Sequence, residues 1–79
     1  MERLHLNIVS PEKQLFDGDV SSVQLPGTLG AFTILPEHAP IVSSLTKGVI
    51  TYVTDSENTL AIDGGFIEMS NGVVSVCVS

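Results

Sequence analysis

Cysteine, tryptophan and positive charge are all scarce in this 79-residue chain. A single cysteine, Cys77, cannot make an internal disulfide, so no covalent staple supports the fold. Its place in the Val-rich run Val73–Val78 reads as a buried, inert thiol. Only Arg3, Lys13 and Lys47 are basic, against nine acidic residues, and the net charge is −6. Three isolated cations build neither a phosphate-tracking groove nor a basic amphipathic helix, which excludes nucleic acid and a membrane-surface helix as readings. The acidic surface is left to solubility, or to steering toward a basic partner.

Long apolar runs are missing as well. No stretch approaches the roughly 20 residues of a spanning helix. Glu2, Arg3, His5 and Asn7 break up the N-terminal residues where a signal sequence needs an unbroken apolar core. The expectation is a cytosolic chain, neither secreted nor inserted in a membrane, folded as one domain over 1–79. A core of this size rarely supplies more than roughly 3–5 kcal/mol, and chains this short usually lean on a disulfide, a metal or a partner. With neither of the first two supported, a partner or marginal stability is left.

What the chain has in quantity is β-branched residues: ten Val, six Ile and six Thr against three Ala. That composition suits pleated, half-buried surfaces and predicts an all-β fold. Leu4, Leu6 and Ile8 alternate with His5, Asn7 and Val9, a strand with one aliphatic face that ends at Ser10-Pro11. A second extended segment covers 13–26, with Asp17-Gly18 at its centre as a tight turn or bulge and Val23 and Leu25 on one face. Gly27 and Gly30 bracket a short loop, and Phe32 and Ile34 share a face before Pro36 halts the ladder. The prolines at 36 and 40 impose a stiff, extended, exposed loop. Strands follow over 41–45, 49–54, 59–62, 66–69 and 73–78, separated by turn-forming residues; Asn71-Gly72 supplies the two positive φ angles of a type I′ hairpin turn. Short, evenly spaced, mostly antiparallel strands predict a two-sheet sandwich or small barrel.

No catalytic constellation emerges. The two histidines are His5, read as a strand residue on the less apolar face, and His38, mounted in the double-proline loop where solvent exposure and a contact role weigh about equally. Glu37-His38 is only a pair, short of the three or four ligands of a metal site. Gly27-Thr28-Leu29-Gly30 has neither the glycine fingerprint nor the Lys-Ser/Thr of a phosphate loop and reads as a turn. Asp17 and Asp19 read as solvated turn residues around Gly18. No cofactor is implied.

Several segments, however, occur in a telling order: Asn7-Ile8-Val9-Ser10-Pro11-Glu12-Lys13, Gln14-Leu15-Phe16-Asp17-Gly18, Leu25-Pro26-Gly27-Thr28-Leu29-Gly30, Ile34-Leu35-Pro36-Glu37-His38-Ala39-Pro40 and Asp63-Gly64-Gly65-Phe66-Ile67-Glu68. Together they resemble, across the whole chain, the N-terminal domain of F-type ATP synthase epsilon subunits. The resemblance implies a β-sandwich at the foot of the central stalk, on the cytoplasmic face of a bacterial inner membrane. There it would bind the gamma subunit and the c-subunit ring and couple proton flow to the catalytic alpha/beta head, with no bond chemistry of its own. It implies a ring contact through the loops at 27–31 and 36–40, with Thr28, Ala31, Glu37 and His38 as contact residues. It implies a gamma contact through Ser10, Pro40, Ile41, Val42 and Ser43. The family often has an acidic or polar residue where Ala31 stands and glycines where Thr33 and Glu37 stand, so Glu37 is expected to supply the carboxylate that position 31 lacks. Family members usually continue into a C-terminal helical hairpin that restrains ATP hydrolysis and in some members binds ATP. These 79 residues hold no such segment, and neither activity is expected of them. The competing class, from composition alone, is a generic β-sandwich interaction or sensor module.

Overall fold

The computed structural model describes residues 3–79; Met1 and Glu2 lie outside the described residues. Nine strands make up all of its regular structure: β1 (Leu4–Val9), β2 (Gln14–Val20), β3 (Ser22–Gly27), β4 (Gly30–Ile34), β5 (Ile41–Leu45), β6 (Gly48–Val53), β7 (Glu57–Ile62), β8 (Gly65–Ser70) and β9 (Val73–Val78). They form two layers. One sheet runs β2-β1-β9-β8-β5, the other β4-β3-β6-β7, and a single pairing of Gly27 with Leu45 joins them into one curled ladder. Every pairing is antiparallel except that of β1 with β9.

Period-two alternation explains the packing. Leu4, Leu6 and Ile8 of β1, Val23 and Leu25 of β3, Ile67 and Met69 of β8, and Val74, Val76 and Val78 of β9 all point between the layers and are buried. Side chains from every strand join this one core, and no polar side chain lies within it among the described residues. Burying each aliphatic contributes about 1.5–3 kcal/mol before the cost of ordering the chain. The Asn71-Gly72 turn has the expected positive φ at both residues, 52° and 77°.

The structure corrects four local readings. Asp17-Gly18 is neither turn nor bulge but the middle of β2, paired with Asn7 and Leu6. The extended segment instead breaks at Ser21, whose amide donates to the Val53 carbonyl. A bulge does exist, at Leu15, which falls between the Ile8–Phe16 and Val9–Gln14 pairs. The extra residue lets Leu15 and Phe16, adjacent in sequence, both pack against the core. Asp17 and Asp19 are therefore outward-facing strand residues.

Cys77 is not fully buried: strand alternation sends Val76 and Val78 inward and Cys77 to the outer face. The 36–40 loop, finally, is not extended throughout. Leu35 to His38 close a tight turn, with the His38 amide donating to the Leu35 carbonyl at 3.1 Å and Glu37 at φ 72°. Pro36 at the second position and a positive φ at the third are the pattern of a type II turn.

Candidate interaction surfaces

The outer face of the five-stranded sheet carries an apolar row. Val9, Cys77 and Phe66 lie side by side across β1, β9 and β8. With Ser10, Pro11, Gly65, Val78 and Ser79 they line a groove of about 360 Å³ that is almost wholly apolar. Gly65 shapes its floor: φ is 147°, and a Cβ there would run into the Cys77 carbonyl, so only bare backbone lets β8 and β9 approach so closely. Phe66 is half exposed at 51%, and Val42, on the neighbouring strand β5, is 74% exposed.

The residues expected at a gamma contact fall around this face without forming one cluster. Val42 points outward, whereas Ile41 packs against the core and Ser43 is half-buried, its hydroxyl donating to the Ser44 carbonyl at 3.1 Å. Pro40 is exposed at the entry to β5. Ser10 sits three strands away at the groove rim, and its hydroxyl is engaged within its own turn: it accepts from the Glu12 and Lys13 amides at 3.3 and 3.2 Å. It also donates to the Lys13 carbonyl. Phe66, Cys77 and Val9, which bridge Ser10 to Val42, were missed by sequence reasoning because each reads as one more apolar strand residue.

The expected ring-contact residues lie along a second surface. Among the described residues β4 pairs only with β3, which leaves its other edge without a strand, and both loops flank that edge, one at each end of the strand. Thr28, Ala31 and Glu37 are exposed and His38 is half-buried. Five residues of strand separate the loops by roughly 16 Å, making one continuous rim rather than one loop cluster. Leu29, at the tip of the β3–β4 turn, and Leu35, at the end of β4, add exposed apolar side chains to it. His38 Nδ1 lies 2.6 Å from the Ala39 carbonyl. A carbonyl only accepts, so Nδ1 is the donor in this contact.

A third cluster was not anticipated. Register sets His5 opposite Asp19 and, one pair along the same face, Asn7 opposite Asp17. The imidazole lies between the two carboxylates, Nε2 2.6 Å from Asp17 Oδ1 and Nδ1 3.2 Å from Asp19 Oδ1. Hydrogen bonds to Asp19 and then Asp17 raise the His5 pKa above its ordinary 6.5. Placing the two aspartates on a strand rather than in a turn was the step that would have exposed the cluster in the sequence.

What the fold defines is a β-sandwich domain, built of strands alone among the described residues. The sequence profile described as "ATP synthase, Delta/Epsilon chain, beta-sandwich domain" matches residues 3–79. The chain is 42% identical over 78 residues to the ATP synthase epsilon chain of Campylobacter curvus, covering 96% of this chain and 60% of that one. It is 44% identical over 70 residues to that of Maricaulis maris, covering 87% and 53%. The chain thus spans little more than half the length of these relatives. A chain in the Euglena gracilis mitochondrial ATP synthase OSCP/F1/c-ring structure has the same fold, with a TM-score of 0.90 at 20% identity over 96% of this chain and 50% of that one. This protein belongs to the family of ATP synthase delta/epsilon chain β-sandwich domains.

Proposed function

We propose that the chain is a non-catalytic rotor element of a bacterial F-type ATP synthase. It is a single β-sandwich domain that fastens the gamma subunit to the ring of c subunits, so that torque from proton flow reaches the alpha/beta head. The observation that carries this reading is the family match across 3–79, which takes in all nine strands. The two surfaces suit the role. The apolar row Val9-Cys77-Phe66, with exposed Val42 beside it opposite Glu68, suits a lasting protein contact, and the proline-stiffened rim along β4 suits a second, separate one. Tight packing of both layers gives a body that transmits force without deforming. Work at the cytoplasmic face of the inner membrane, as a peripheral part of the complex, follows from the same reading.

The test begins from a Cys77→Ser background, with single cysteines introduced at Val42, Ser10, Thr28 or His38 in the assembled complex. Cross-links from the first two to gamma and from the last two to the c subunit are expected. A protein that fails to co-purify with gamma in mild salt, or that cross-links to neither, sinks the proposal in favour of a generic interaction module.

A further inference from the structure

We propose that His5, Asp17 and Asp19 form a pH-operated clasp on the free edge of the sandwich, shut while the imidazole is charged and released when it loses its proton. The geometry requires the charge. Both ring nitrogens lie within hydrogen-bond distance of carboxylate oxygens, at 2.6 and 3.2 Å, and a carboxylate can only accept. A neutral imidazole has one N–H, so it can hold Asp17 or Asp19 but not both, and its other nitrogen then faces an oxygen lone pair.

The clasp sits where it can matter, because β2 has β1 as its only strand neighbour among the described residues. On their inner faces β1 and β2 are held by core packing; on the outer face these three side chains join them. Asp17 and Asp19 are the titratable groups that β2 turns toward His5, while β9, on the other side of β1, offers Val73 opposite His5 and Ser75 opposite Asn7, neither of which titrates. About half of the His5 side chain is open to solvent, so the proton exchanges without local unfolding.

The sign follows from the direction of the shift. A folded-state pKa above the ordinary 6.5 gives stabilisation that is fully present below that value and is lost as pH rises through the folded-state value. The experiment is a titration of the whole chain across neutrality, following the His5 ring resonances and the hydrogen-exchange protection of the β2 amides. His5 should titrate above 6.5, and β2 protection should fall by roughly two- to fivefold once the ring is neutral, the range of exposed ion pairs. Asp17→Asn with Asp19→Asn should return the titration toward 6.5, and His5→Gln should remove the protection change. A ring titrating at its ordinary value, or β2 protection that is flat through the transition or changes equally in His5→Gln, overturns the clasp.

Discussion

The rings of Phe16 and Tyr52 meet across the sandwich with centroids 4.5 Å apart and planes inclined at 45°. Phe16 comes from the edge of one sheet and Tyr52 from the interior of the other, so this contact ties β2 to the opposite layer. Both rings are only partly buried. Replacing either with Ala should cost about 2–3 kcal/mol, below the range for fully buried aromatics. A double-mutant cycle built from the milder Phe16→Leu and Tyr52→Leu, which leave the chain folded, should return by urea denaturation a coupling of about 1 kcal/mol. Additive losses would mean that the rings stabilise independently.

Gly65 and Gly72 both have positive φ, yet they should respond differently to alanine. At Gly72 a Cβ meets open space, and strain alone should cost about 1 kcal/mol. At Gly65 it meets the Cys77 carbonyl and Val78 Cα, so β8 and β9 must part. Against a stability of roughly 3–5 kcal/mol, Gly65→Ala should leave most of the chain unfolded at ambient temperature by circular dichroism. Equal losses at the two sites would show that steric contact is not what Gly65 relieves.

Glu37 holds a left-handed backbone that an L side chain adopts at a cost. Glu37→Gly should raise stability by about 0.5–1 kcal/mol, the strain relieved exceeding the entropy that glycine adds to the unfolded chain. That a costly residue stands at this turn supports a role for its carboxylate at the rim. Glu37→Gln, which keeps the strain and removes the charge, should weaken assembly with the c ring and flatten its salt dependence. Unchanged assembly and salt dependence would remove Glu37 from the contact.

Val42 is exposed and lies opposite Glu68 across the β5–β8 pair, so Val42→Lys should change the unfolding midpoint little, by the equivalent of about 0.5 kcal/mol. Placing a charge in an apolar contact should nevertheless lower retention on immobilised gamma at least about tenfold. Phe66→Ser probes the other side of the same face. Wild-type retention by both variants would move the gamma contact elsewhere on the molecule.

Strands were legible where alternation was strong, as in Leu4-Leu6-Ile8, and the Asn71-Gly72 turn could be read from its dihedral demands alone. Failures came where a residue's local habit lost to long-range pairing. Asp-Gly is a turn former, but Asp17-Gly18 is held extended by β1 and supplies outward carboxylates for His5. Cys77 looked buried because its neighbours are valines, although strand parity alone assigns it to the other face. Groove residues on β1, β8 and β9 come together only through a sheet order that no local pattern encodes.

The parallel pairing of β1 with β9 also sets a timetable. β1 finds its second neighbour in β9, eight strands later in the chain, so the five-stranded layer stays divided into a β1–β2 piece and a β8–β5 piece until synthesis reaches β9. Until then β1 presents an open, aliphatic edge to other nascent chains. Folding of this layer should therefore wait for β9 rather than proceed strand by strand, and deleting β9 should yield aggregates instead of a smaller sandwich.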